Sequence, residues 1–380
     1  MPTLVLLGAV CVPLEAEDPG GYGIYPSDVP NDGILFVDHK AEGRSGHGGQ
    51  AITEAKNGDI IAFYSNVSGT VRRGHGVAGW AEYRISGDGG ETWSDPYVLE
   101  ASKMAWEDPE RGPILVEEVM TAPDGTVVAV GRNFTDPRGH SWGSRPPLLF
   151  RSRDHGRTWS EPEALDPNAK RWQISRDEGS MVHGDTMYIL FHDRFVPDDE
   201  TPKYRLYASE DNGGSFGKRS VLPLGKDQWY GTIGAIEGGK IIVYSYNNDD
   251  DGEVLQYVTS DDGGFTWSEV QETPFAKRLR NPQLSARIGG LYFIHGRSGS
   301  FGPDPRHLVL YSSEDGINWD EGVYLNRGST DALDSYSTNE VIGKYDSESP
   351  NRLLIQSSIA YDDAGRRVNL HHWWLDTGVD

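Results

Sequence analysis

Histidine, tyrosine and arginine recur at two sets of comparable positions along the chain, and these three types together can move protons beside a bound anion. The first set is Gly46-His47-Gly48, Glu110-Arg111-Gly112, Asp177-Glu178-Gly179, Trp229-Tyr230-Gly231, Arg280-Asn281-Pro282 and Ser335-Tyr336-Ser337. The second is Tyr64, Arg132-Asn133, His192-Asp193-Arg194, Tyr246-Asn247 and His295-Gly296-Arg297. A histidine takes up a proton near neutral pH, and a tyrosine beside an arginine can act as acid or base once its pKa falls. His47, His75, Tyr230 and Tyr336 are the candidates for that work, with Glu178 as a carboxylate partner. Arg132, Arg194, Arg280 and Arg297 could hold a carboxylate or sulfate through bidentate hydrogen bonds, with His192, Tyr246 and Trp229 as further substrate contacts. The alternative for each arginine is an ion pair with a neighbouring Asp or Glu. Trp229, Trp106 and Trp142 suit stacking on a sugar ring as well as ordinary packing.

The elements that must bring these residues together are written as a repeat. Three segments nearly superimpose: SGDGGETW from Ser86, SRDHGRTW from Ser152 and SDDGGFTW from Ser260. Two degenerate copies are SEDNGGSF from Ser209 and SSEDGINW from Ser312, the latter with Glu314 in the place of the aspartate. The unit reads as a hairpin turn in which the carboxylate accepts backbone hydrogen bonds, glycine supplies positive φ, and the aromatic ring anchors the turn. The anchors Trp93, Trp159, Phe216, Trp267 and Trp319 stand between 51 and 66 residues apart, about the length of a four-stranded propeller blade. A short apolar strand, a turn and a second apolar strand (IIAFY, VVAVG, MYILF, IIVYS, LYFIH) precede each box. The fold class is therefore all-β, a six-bladed β-propeller in one domain over 1–380. Its blades span approximately 44–100, 110–165, 175–222, 229–273, 280–325 and 335–376, and residues 1–43 form an N-terminal extension that closes the ring. In such a ring the starts of the inner strands and the ends of the second strands meet on one face, where both polar sets converge.

Composition narrows the partners. Against 35 Lys+Arg stand 58 Asp+Glu, a net charge of −23, which argues against nucleic acid as a partner. The 47 Gly and 22 Pro of the 380 residues suit short strands and turns, and 11 Trp, 18 Tyr and 11 Phe can fill a core. Cys11 is the only cysteine, so no internal disulfide or thiolate zinc cluster is expected. The acidic run Asn247 to Glu253 has Val258 at the twelfth loop position, where a calcium loop needs a carboxylate, so no metal or other cofactor is expected. No apolar run reaches the length of a membrane helix, and no membrane insertion is expected. Thr3 to Leu14 has the length of a signal-peptide core without a preceding Lys or Arg, and it reads equally as a buried strand, so localisation stays open between secreted or periplasmic and cytoplasmic.

The serial boxes resemble the Asp-boxes of the sialidase superfamily of six-bladed propellers, and the resemblance extends from about Phe36 to Leu375. Sialidases use an arginine triad for a carboxylate, a tyrosine nucleophile charged by a glutamate, and an aspartate acid/base. The resemblance puts Tyr336 in the place of the nucleophile, and Arg280 and Arg297 where triad arginines stand. The departures are large. Gly46-His47-Gly48-Gly49 stands where the family has a Phe/Tyr-Arg-Ile-Pro motif, no Asp lies between Tyr64 and Tyr83, and Tyr230 replaces the expected Glu. The resemblance thus implies a divergent carbohydrate-active enzyme, a glycoside hydrolase on an acidic or decorated oligosaccharide or polysaccharide, in which His47 and Arg280 contact substrate. Two other readings stay open. His47 or His75 with a channel tyrosine and an arginine could eliminate across a uronate, a residue set similar to that of propeller polysaccharide lyases, whose blades usually number seven; or the propeller binds glycans without turnover.

Overall fold

A computed structural model of the chain describes residues 33–169, 176–193, 203–225, 227–247, 249–299, 306–326, 335–345, 351–362 and 366–376, without the side chains of 176–178 and 376. Arg194, the Glu178 side chain and the segment Thr3 to Leu14 lie outside the described residues.

The second strands decide the layering. Ile60 to Tyr64 is buried at every position, as are Val127 to Val130 and Met187 to Phe191. A strand apolar on both faces must be covered on both faces. The neighbouring blades supply the cover: one apolar cluster joins Ile61 and Phe63 of the first blade to Val116 and Phe150 of the second, and others join the remaining neighbours. Six antiparallel sheets result, five of four strands and one of five. Their inner strands are Ala51–Glu54, Ile114–Thr121, Arg176–His183, Gln228–Ile236, Arg280–Leu284 and Ser337–Ile342, each packed beside the next and the last beside the first. They line a central channel with a cavity of about 490 Å³. Hydrogen bonds cross from blade to blade there, Thr53 to Thr121 at 3.1 Å and Ser180 to Glu118 at 2.7 Å.

The ring closes as the sequence predicts. Ile34–Val37 pairs with Val368–Asp376 and becomes the outermost strand of the last blade. The blade without a box is completed by the N-terminal region, which covers what would otherwise be a bare edge.

The repeated turns differ from expectation in two details. In the first, Ser86 Oγ donates to Asp88 (2.7 Å), Asp88 accepts the Thr92 amide (2.9 Å), and the Thr92 hydroxyl holds the Asp88 carboxyl down at about 2. In the fifth the carboxylate is Asp315, not Glu314: it accepts from Ser313 Oγ (2.9 Å) and from the Ile317 and Asn318 amides (2.8 Å each). That turn is one residue shorter, so the serine and acid shift by one position. The box aromatics also do more than anchor their own turns, because they reach the preceding blade. Trp159 packs on Phe63 (5.4 Å), Trp319 on Tyr244 (6.2 Å), Trp93 on Phe36 (4.9 Å), and Trp267 Nε1 donates to Ser220 (2.9 Å). The turns are therefore staples between blades.

Three histidines are sealed into this packing. Burial lowers His295 to about 3, and burial with neighbouring positive charge lowers His39 and His372 to about 3. The unfolded chain takes up these protons as pH falls through about 6.5, whereas the folded chain refuses them until about 3. Stability is thus fully present above the unfolded value and declines across that window, by up to about 1.4 kcal/mol per pH unit for each group. Urea midpoints measured at pH 7.5 and pH 5 are expected to show a clear loss at pH 5. Equal midpoints would contradict this burial.

Candidate active site

The inner strands enter the ring through irregular backbone. Register slips between Val116 and Glu118, Asp177 and Gly179, Trp229 and Gly231, and Arg280 and Gln283. Tyr230, Asn281 and Ser335, at three of the entries, have φ of 32°, 51° and 64°. Bulges and left-handed residues cost free energy and re-aim side chains, and they concentrate where side chains must converge.

His47 is the hub. Its ring lies 4.4 Å from that of His75, 4.9 Å from Tyr336 and 5.7 Å from Trp142, all near edge-to-face. These four residues come from the first, second and last blades, so the cluster straddles the seam where the ring closes. Gly48, at φ 80°, lets the chain pass under Trp142, where a Cβ would stand 3.1 Å from the indole. The Trp142 indole N–H donates to the His75 carbonyl (3.2 Å) and ties the second-blade wall to the His75 loop.

The arginines divide into two kinds. Arg132 is committed inside the protein: it donates to Ser144 (2.8 Å) and to the Trp142 carbonyl (3.3 Å) and pairs with Glu117 (3.4 Å). Its work is to hold Trp142, and Glu117, which the sequence reading passed over, is its counter-ion. Arg280 likewise pairs with Asp251 (3.1 Å) and donates to Tyr246 (3.1 Å), whose ring stacks on Tyr230 at 5.8 Å. Arg297 is different. It is 4% exposed, its guanidinium lies 4.7 Å over the Tyr336 ring, its Nε has no hydrogen-bond partner, and no carboxylate among the described residues pairs with it. A buried charge in that state is costly until an anion meets it.

Protonation follows from the same surroundings. Burial, aided by Arg72, Arg366 and Arg297, lowers His75 to about 4, so its imidazole is neutral at pH 7 and its buried Nδ1 has no partner among the described residues. Burial pushes Tyr246 up to about 12 although Arg280 opposes it, which keeps that phenol protonated. The arrangement offers a neutral base, phenols and an unmatched cation. Among the described residues no carboxylate is hydrogen-bonded to Tyr336, and no three His, Cys, Asp or Glu groups converge as metal ligands.

His47, His75, Tyr336, Arg297 and, one layer out, Arg280, Tyr246 and Tyr230 are therefore brought together. His192 is buried against Tyr204 at 4.5 Å, and Trp229 packs with Tyr230 on the apolar cluster of the fourth and fifth blades. Trp106 sits in the helix Glu100–Glu107 that links the first two blades.

No family model matches the chain, and no curated protein matches it in sequence. Solved structures do match it in shape. A protein of unknown function from Dyadobacter fermentans aligns with a TM-score of 0.67 at 15% identity, over 90% of this chain and 97% of that one. A Hadza microbial sialidase gives 0.66 at 17% identity, over 90% of this chain and 68% of its own. The intramolecular trans-sialidase from Ruminococcus gnavus gives 0.61 at 11% identity, over 92% and 98%.

Replacing Arg297 by Met removes a buried unmatched charge while keeping the packing volume. The variant is expected to be as stable as the parent or more so, by up to about 2 kcal/mol in urea unfolding. A loss of more than about 2 kcal/mol would instead make Arg297 a structural residue. By fold, the chain is a six-bladed β-propeller similar in shape to these two sialidase structures.

Proposed function

We propose that the chain is a carbohydrate-active enzyme, a glycoside hydrolase that acts on an acidic or otherwise decorated glycan at the face bearing His47, His75 and Tyr336. The observation that carries this reading is the buried guanidinium of Arg297, unmatched within the described residues and stacked on Tyr336. A carboxylate or sulfate on the sugar would satisfy it and would fix the ring over the phenol. Trp142 would close one side of the sugar, and Arg280 with Tyr246 would extend the polar floor. In hydrolysis the glycosidic C–O bond breaks, the oxygen of water ends on the anomeric carbon, and the leaving oxygen gains a proton. Tyr336 serves as nucleophile or acid, and neutral His75 accepts the proton of the attacking group.

A second reading is favoured by one specific feature, the neutral imidazole of His75 close to Arg297. Where the acidic group is a uronate, Arg297 neutralises the carboxylate and His75 takes the proton α to it. The C4–O bond then breaks, a C4–C5 double bond forms, and a channel phenol protonates the departing oxygen.

Incubation with sialylated, uronate-containing and neutral glycans, followed by reducing-end release and by ultraviolet absorbance, separates the readings. New reducing ends without absorbance are expected for hydrolysis, and ends with rising absorbance would replace it by elimination. Binding without either would reduce the chain to a glycan-binding propeller. In both enzymatic readings His75 works as a base, so activity is expected to persist at pH 5 and to fail as pH drops through about 4, where His75 protonates. An acid limb near pH 6.5 would contradict its low proton affinity.

A further inference from the structure

The loop that carries His75 is strained in a way that the reaction above does not require. Val71–Gly74 is a single tight turn in which Arg72 (φ 46°, ψ 33°) and Arg73 (φ 57°, ψ 40°) are both left-handed, with Gly74 following at φ 87°. Two successive arginines in this region pay a steric cost that most sequences avoid by using Gly or Asn. The surroundings hold the turn in place. Ser68 Oγ accepts from the Thr70 and Val71 amides (3.2 and 3.3 Å), Arg72 donates to the His140 carbonyl of the second blade (3.1 Å), and Gly74 packs so tightly on the Arg366 carbonyl that a Cβ would stand 2.5 Å from it.

The turn brings positive charge to the rim of the site. Arg72 and Arg366 act on the His75 ring together with Arg297. Arg73 is exposed; its amide donates to the Thr70 carbonyl (3.0 Å), and its side chain makes no hydrogen bond or ion pair among the described residues. Other exposed arginines are of both kinds: Arg157 pairs with Asp59 at 2.6 Å and Arg138 with Asp136 at 3.6 Å, whereas Arg111 and Arg153 have no ion pair among the described residues. Strain kept by the surrounding structure, at the edge of a site where Arg72 and Arg366 already act on the His75 ring, points to a ligand.

We propose that Arg72 and Arg73, backed by Arg366, form a second anion subsite beside the Arg297 pocket, and that the substrate is a polyanionic glycan with acidic groups on successive sugars. This rests on the reading that the His47 face binds acidic glycans. The inner pocket takes one acidic group, buried and stacked over Tyr336. The outer subsite takes the next one along the chain by exposed, salt-sensitive attraction.

The test uses fluorescently labelled galacturonate and sialate oligomers of one, two and four residues, with anisotropy read for the parent protein, Arg73→Asn and Arg73→Glu. Asparagine tolerates the left-handed backbone, so Arg73→Asn removes charge without new strain. In one of the two series the parent is expected to bind the tetramer about tenfold more tightly than the monomer, with the gain shrinking at high salt. Arg73→Asn is expected to cost about threefold on the tetramer and Arg73→Glu about tenfold, with monomer binding unchanged. Monomer binding without a gain in length, or tetramer binding indifferent to both substitutions, would overturn the outer subsite and leave the acidic-glycan reading intact. Absence of binding to every oligomer of both series would overturn both.

Discussion

The pairing of Ile34–Val37 with Val368–Asp376 is the interaction on which the rest depends. It joins the first described strand to the last and turns an open row of blades into a ring. The seam it closes is also where the site is built, since His47 and His75 come from the first blade and Tyr336 from the last. Other bonds hold the same seam. The Gly46 amide donates to the Val368 carbonyl (3.1 Å), Gln356 donates to the Phe63 carbonyl (3.1 Å), and the Glu54 carboxylate accepts the Gly343 and Lys344 amides (2.9 Å each). An edge to be covered and the placement of His47, His75 and Tyr336 are met by one set of contacts.

The adjoining seam is held in a related way. His295, buried and neutral, meets Ser337 through Nδ1 and Asn339 through Nε2, both at 2.9 Å. Two residues further on, the same strand presents Arg297 over Tyr336. The strand Tyr292–Arg297 thus grips the strand that follows Tyr336 while offering Tyr336 its cation, and the spacing of phenol and guanidinium is set by backbone rather than by flexible side chains. Electrostatics complete the picture. The molecule is strongly acidic, yet the closing seam gathers Arg72, Arg297 and Arg366 around a histidine that burial keeps neutral. Such a local reversal of charge draws anions to one place on a surface that repels them elsewhere.

The architecture was readable because it is periodic. Box spacing, five apolar second strands and the leftover blade fixed a six-bladed ring closed from the N-terminal side, and the structure agrees. Periodicity also marks which strand ends meet, and His47, Tyr336 and Arg297 stand at those ends, whereas His75 lies in the loop between Tyr64 and Tyr83 and has no place in the repeat. What it could not show is how each arginine is matched. Arg132 and Arg280 look like Arg297 in sequence, but Glu117 and Asp251 neutralise them from positions with no fixed spacing to either. The Glu314 assignment failed for a similar reason, since a one-residue shortening of the turn moves the acid to Asp315 and leaves the consensus pattern intact. The left-handed pair Arg72 and Arg73 had no sequence signal, because neither residue type advertises that conformation.

The central claim is that the face around Tyr336 recognises an acidic group through Arg297. It is tested most directly by calorimetric titration of the protein with an acidic oligosaccharide and with the same oligosaccharide after its carboxylates have been reduced to alcohols. The account predicts that the acidic form binds and that reduction weakens binding at least about tenfold, in keeping with the loss of a charge-assisted contact in a buried site. Equal affinity for the two forms would contradict it.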